Sequence, residues 1–502
     1  MRLPRACGVL LHPTSLPGPQ GCGDLGEGAR RFVDWLAEAG QRWWQVLPLG
    51  GLGPGHSPYM STSAFAANPL LVDLEELAQR GWLEADELVP PRPFPAAWVD
   101  YPATIAWRHA RLERAARRFD DRADAASRAD FALFCDRHAA WLDDYALFMA
   151  LDEAQPGSGW QAWPDGLATR DAGALARARR RLAPRLRFWS FVQWCFDRQW
   201  QALRVYARAR GVRMFGDAPI FVASHGADAW AHPQLFELDD AGHPLAIAGV
   251  PPDYFSPTGQ RWGNPLYRWD AHAAEGYAWW VARVKHALET FDLLRIDHFR
   301  GFAAYWRIPM HEATAVHGEW LPGPGAALFE AMERELGSLP IVAEDLGVIT
   351  PDVEELRRRF RFPGMKVLQF AWSGDIDNPH LPHNHAQDTV VYTGTHDNDT
   401  TVGWWSGADA EQRRHLCEYL ATDGGEIHWD MVRAACESKA DTAMIPLQDL
   451  LGLDGRHRMN TPGRAEGCWE WRFGWSQLGE EPARRLSALC SLHRRDGMPL
   501  PD

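Results

Sequence analysis

Leu293-Leu294-Arg295-Ile296-Asp297-His298-Phe299-Arg300-Gly301 is a short apolar run that carries an arginine inside it and breaks off into a carboxylate, an imidazole and a second arginine. In a strand, side chains alternate between faces. Arg295 and Asp297 would then point one way and Leu294 and Ile296 the other. A buried guanidinium beside a carboxylate is costly unless both charges are used. Two readings follow. Either the strand ends in an acid that caps the next helix, with Arg295 as its structural partner, or the pair stands at the mouth of a functional site. His298 has the opposite parity to Asp297. It can face such a site only if the strand has ended, and otherwise it packs behind it.

The segments on either side repeat the pattern. Apolar runs at 7–11, 43–48, 212–215, 339–343, 365–370, 389–392 and 442–447 join the opening one to make eight short strands. Helical periodicity separates them, as at 25–39 (closed by Gly40), 275–290, 351–359 and 410–421. Strands alternating with helices predict an α/β fold, a (β/α)₈ TIM barrel, over an open doubly wound sheet. The open sheet is weakened by the lack of a Gly-rich phosphate loop after the first strand. One catalytic barrel over residues 1–502 is expected to carry two insertions. One is a helical subdomain at about 75–205, and the other is a loop region over the cleft at about 225–275. The Gly- and Pro-rich stretch 249–265 reads as a long loop within the second.

Composition narrows the function classes. Across 502 residues, 46% are hydrophobic and 24% charged, as in an ordinary globular enzyme. Lys+Arg 52 against Asp+Glu 66 gives −14, which argues against nucleic acid or an anionic membrane as partner. No apolar run has the length of a membrane span and no signal-peptide core is evident, so a cytoplasmic protein is expected. The eight cysteines are scattered without a C-x-x-C pair, which signals neither a zinc ribbon nor a redox motif. Tryptophan is abundant, with 26 residues. Its broad ring stacks on the C–H faces of sugars and keeps an N–H for a hydroxyl, so composition tilts towards carbohydrate.

Four of the expected strands end in acids: Asp217, Asp297, Glu344 and Asp397. Each alone could be a helix cap. In a barrel, however, the C-terminal ends of all strands meet at one mouth. Gathered there with Arg295 and His396, four like charges repel, and stability alone would not select them. Convergent carboxylates without Cys or many His suggest glycoside chemistry or an oxygen-ligated metal. The aromatic content and the missing phosphate loop favour sugar. Retaining glycoside chemistry needs an ionised nucleophile and a protonated acid roughly 5–5.5 Å apart. Arg295, sharing a face with Asp297, would keep that carboxylate ionised, and a neighbouring negative charge would raise the pKa of Glu344.

At this point the motifs become specific. Arg295-Ile296-Asp297-His298, Ala343-Glu344-Asp345-Leu346-Gly347 and Thr395-His396-Asp397-Asn398 resemble the catalytic-strand motifs of the 4-α-glucanotransferases. These are the amylomaltases, or disproportionating enzymes, of the α-amylase clan. The resemblance extends over nearly the whole chain. It includes Ser57-Pro58-Tyr59, Gly249-Val250-Pro251-Pro252-Asp253-Tyr254-Phe255-Ser256, Gly259 to Tyr267, and Arg458-Met459-Asn460-Thr461-Pro462-Gly463, and it is poorest from about 75 to 200. It implies Asp297 as nucleophile, Glu344 as general acid/base and Asp397 as stabiliser of the oxocarbenium-like transition state. Arg295, His396 and Asp217 would hold the donor sugar and Tyr59 would lie on the acceptor side. Tyr254, Phe255 and Trp262 would fold over the cleft, with Asn264 and Asn460 as further substrate contacts. The implied partners are an α-1,4-glucan donor and a glucose or oligosaccharide acceptor. Because one glycosidic bond is exchanged for another, no cofactor or metal is called for.

The chain departs from the family pattern at His225-Gly226, at Trp372-Ser373 and at Cys468, none of which removes a carboxylate. Two other functions use the same residues. A retaining α-amylase-like hydrolase would take water as acceptor, and a glucan-binding protein would sit on a dead scaffold. The intact carboxylates argue against the second, and a covering aromatic loop that excludes water argues against the first.

Overall fold

Alternation along the opening stretch sets the cross-section of the molecule. The structure is a computed structural model that describes residues 2–252, 256–464 and 466–495. Strand β6 (Leu293–Ile296) turns Leu293 inwards, where it meets Trp43, Phe215, Val342, Met365, Tyr392 and Met444. Leu294 and Ile296 turn outwards, among the residues that pack against the surrounding helices. The other barrel strands are β1 (Ala6–Leu10), β2 (Trp43–Gln45), β3 (Arg213–Ala218), β9 (Ile341–Ala343), β10 (Gly364–Val367), β11 (Thr389–Tyr392) and β12 (Thr442–Pro446). The numbers between belong to a second sheet. All eight are parallel, in the order β10-β11-β12-β1-β2-β3-β6-β9. The seam between the last and the first is drawn together by the Ala343 N–H, which donates to the Pro363 carbonyl at 2.9 Å. Every expected barrel strand is present, and the sheet curls into a barrel rather than staying open.

Helices Leu74–Gln79, Tyr101–Arg122, Ala125–Ala154 and Ala172–Arg181 build the helical insertion. Each begins on an aspartate (Asp73, Asp100, Asp124 or Asp171) whose side chain accepts first-turn N–H groups. The next helix, Ala183–Arg208, serves both the insertion and the barrel wall. Its Trp200 indole donates to the Thr290 carbonyl at 2.9 Å and its Arg204 pairs with Asp292 at 3.1 Å. The expected span of 75–205 therefore includes a helix of the barrel itself.

Stretch 225–275 is more structured than expected. It contains helix Ala227–Ala231, strands β4 (Ala246–Val250) and β5 (Gln260–Pro265), and helix Trp269–Ala274. With β7 (Ala304–Pro309) and β8 (Glu319–Pro322) these strands form an antiparallel sheet, β5-β4-β7-β8. Gln260–Pro265 carries no apolar alternation. It becomes a strand through pairing, and a Cβ on Gly249 would lie only 2.0 Å from the Gln260 carbonyl, so glycine is what admits the partner. Among the described residues no helix is long and apolar enough to cross a membrane.

Candidate active site

Arg295 is the centre of the barrel mouth. It is buried, and one guanidinium nitrogen, Nη1, donates to both oxygens of Asp217 at 2.8 and 2.7 Å. The other, Nη2, donates to Asp297 Oδ1 at 2.7 Å. β3 and β6 are in register with Asp217 beside Arg295, so neighbouring strands present the acid and the base on one face. Burial would strip the charge from Arg295, yet Asp217 and then Asp297 hold its pKa far above the usual value. The guanidinium is a fixed cation shared by two carboxylates.

The strand ends at Ile296, and His298 has a left-handed backbone with φ of 51°. That turn settles the parity question. The imidazole stands edge-on to Trp262, with ring centroids 4.8 Å apart, and burial lowers its pKa to about 4. The backbone of His298 also serves the site. Its N–H donates to Glu344 Oε2 at 2.7 Å, while the Leu346 N–H donates to Glu344 Oε1 at 3.0 Å. Burial is the main influence on the Glu344 carboxyl and the Asp297 charge adds to it, against the pull of Arg295. The result is a pKa of about 7.

Asp397 follows β11. Burial alone would raise its carboxyl, but His396 and Asn460 hold it well below the ordinary carboxylate range. His396 Nε2 lies 3.3 Å from Asp397 Oδ2, and the Asn460 amide donates to Oδ1 at 2.6 Å. Burial opposes a charge on His396, and Asp397 outweighs it and raises the pKa.

Tyr59 joins the two halves of the mouth. Its hydroxyl donates to Asp217 Oδ2 at 2.8 Å, and its ring stacks on His396 with centroids 4.9 Å apart. It therefore stands with Asp217 and His396, the two residues expected around the donor sugar, whereas the resemblance implied the acceptor side. The reason is that the turn after Ser57 swings the ring inwards over β3 and β11. Burial and the adjacent Asp217 charge keep the phenol protonated.

Two further expected residues have defined partners. Asn264 is buried and its amide donates to the Val222 carbonyl at 2.7 Å, which fastens the turn after β3. Trp262 is partly buried beside His298, with its indole N–H bonded to Gln260 Oε1 at 3.0 Å. Tyr254 and Phe255 lie outside the described residues. Sequence reasoning passed over Trp469 and Arg458. The first packs its ring against Tyr59 and His396, and the second donates to the Asp397 carbonyl at 2.8 Å. Arg458 opens the motif Arg458–Gly463 and Trp469 follows Cys468, which was the signal that could have found them.

Of the departures from the family pattern, His225 bonds Asp152 of the helical insertion at 2.8 Å and Trp372 packs on Tyr419. Cys468 accepts the Thr461 N–H at 3.4 Å and so shapes the loop that carries Asn460.

A barrel mouth with two carboxylates on one arginine, a third on a histidine and a buried acid near neutrality is the arrangement of a glycoside-transforming enzyme. Comparison with known proteins narrows the class. A family model described as 4-alpha-glucanotransferase matches residues 11–476. A 4-alpha-glucanotransferase of Thermus thermophilus is 51% identical over 99% of this chain and 100% of that protein. The Synechocystis enzyme of the same name is 48% identical over 98% of each chain. An amylomaltase from Streptococcus agalactiae, solved in complex with acarbose, superposes with a TM-score of 0.95 at 37% identity, covering 98% of this chain and 99% of the other. The chain belongs to the 4-alpha-glucanotransferase family and is a glycosyl-transferring enzyme.

Proposed function

We propose that the enzyme acts in the cytoplasm, moving a segment of an α-1,4-glucan to the 4-hydroxyl of glucose or another glucan by two displacements. Asp297 attacks the anomeric carbon of the donor. The bond from that carbon to the departing O4 breaks as Glu344 delivers its proton to the oxygen. A covalent glycosyl-Asp297 ester remains. The acceptor 4-hydroxyl then attacks the same carbon, Glu344 takes its proton and the Asp297 carboxylate leaves. The observation that supports these roles is the contrast between two neighbouring carboxyls. One is held by a permanent cation, and the other is buried with a pKa near 7, so that it can lend and recover a proton.

Asp217, Tyr59, His396 and Asp397 form a polar chain along the donor position, suited to holding sugar hydroxyls while positive charge develops on the ring. Arg295 fixes the geometry of Asp297 and Asp217 together.

Incubation with maltotriose tests the reading. Transfer yields longer oligomers and glucose, whereas hydrolysis alone yields maltose and glucose. Glu344→Gln should lower turnover by roughly 10²–10⁴-fold. Asp297→Asn should abolish the glycosyl adduct seen by mass spectrometry, and an adduct that survives the substitution removes Asp297 from its role.

A further inference from the structure

The antiparallel sheet has one exposed feature that the catalytic chemistry does not use. Trp306 of β7 and Trp320 of β8 are a directly opposed cross-strand pair, with ring centroids 5.3 Å apart. Trp306 is anchored, its indole N–H donating to the Ala315 carbonyl at 3.0 Å. Trp320 is 39% exposed, and its indole N–H has no partner among the described residues. The Arg300 guanidinium lies 3.9 Å from its ring centre. A large ring propped by a buried cation and open to water is an unusual use of tryptophan on an edge strand. Exposed apolar side chains concentrate here too, since Leu245, Met310, Val316 and Val348 belong to this sheet, its turn or the loop beside it.

Arg300 joins this ring to the chemistry. It lies in the turn Phe299–Phe302, immediately after Asp297 and His298, and its Nη1 donates to the Val348 carbonyl at 2.6 Å. Val348 stands in the loop that leaves Glu344 and is 69% exposed. The general acid delivers its proton to the departing oxygen, so the departing and incoming sugars occupy the Glu344 side of the cleft. Trp320 is thus tied, through one side chain, to the loop on that side.

We propose that Trp320, held flat by Arg300, is a stacking platform for a glucose ring of the acceptor glucan some residues away from the reacting hydroxyl, and that it sets the preference for longer acceptors. The inference rests on the glucanotransferase reading. A flat indole offers area to the C–H face of a neutral sugar and one N–H to a hydroxyl, without the desolvation cost that a charged group would carry.

The test compares transfer from maltotriose to isotope-labelled glucose and to labelled maltohexaose. Trp320→Ala and Trp320→Leu should each lower kcat/KM for maltohexaose relative to glucose by about five- to tenfold. Trp320→Phe, which keeps a flat ring, should recover most of the loss. Val205→Ala, at an exposed position on helix Ala183–Arg208, should change neither value. An unchanged ratio in both the alanine and leucine variants overturns the platform while leaving the transferase intact. A phenylalanine variant as poor as alanine overturns it as well. If the unsubstituted enzyme labels neither product, the transferase reading fails and the platform falls with it.

Discussion

Glu344, the proposed general acid/base, shows how a buried carboxyl opposes stability. Its carboxyl titrates near 7 in the folded protein, against an ordinary value of 4.5. Between those values the folded state binds the proton that the unfolded state has released, so stability falls as pH rises through the window, and the loss is complete above about pH 7. Glu344→Gln carries no titrating proton and escapes it. The glutamine variant should melt at a higher temperature than the parent at pH 8, and the gain should shrink towards pH 4.5. A gain that stays constant across that range would mean burial of the charge is not its source. The opening stretch offered two readings of Asp297; the turn that follows has no side-chain cap, and the carboxylate instead pairs with an arginine that also holds Asp217. Which carboxylates would gather was legible, because each closes an apolar run. Tyr59 was not, since a ring in a Pro-rich loop has no periodicity to say where it points.

At the scale of elements, β3 is held by a residue with no side chain. A Cβ on Gly216 would meet ring carbons of Phe291 at 2.2–2.5 Å. Gly216→Ala should therefore force the strand or the ring to move, costing about 1–3 kcal/mol. Asp217 is the next residue. A shift of the strand would loosen its fork with Arg295, so the melting temperature and kcat/KM should fall together. Loss of stability with unchanged kinetics would place the adjustment in Phe291 alone. The eight barrel strands could be read from sequence because each is buried on both faces and so forms a bare apolar run. The antiparallel sheet could not. Gln260–Pro265 takes its conformation from β4, and the glycines that looked like loop residues are there for close backbone approach. His298 illustrates the same limit, because its left-handed turn directs its N–H to Glu344 and no alternation rule anticipates that.

Across the whole molecule, the floor of the barrel is fastened by two arginines, Arg5 and Arg495, that share the Cys436, Ser438 and Ala440 carbonyls. Arg495 is fully buried and donates to six carbonyls, those of Ala6, Ala435, Cys436, Ser438, Ala440 and Asp441. Arg495→Met should remove a donor shared by six carbonyls, of which Cys436, Ser438 and Ala440 keep Arg5 and Asp441 keeps the Ala6 N–H, and cost about 1–3 kcal/mol. Turnover of maltotriose at moderate temperature should be kept, because the mouth lies at the opposite ends of the strands. A melting temperature within a degree of the parent would show that water replaces the guanidinium.

The pairing of β1 with β12 has a consequence for how the protein is made. Ala6 leaves the ribosome long before Thr442, its neighbour in the wall. The wall cannot be sealed until β12 has emerged. Over that interval one edge of β1 stands open, bordered by apolar side chains. Nascent chains are therefore exposed to mispairing with one another throughout that interval, and the final yield of active enzyme depends on how well the cell shelters that edge.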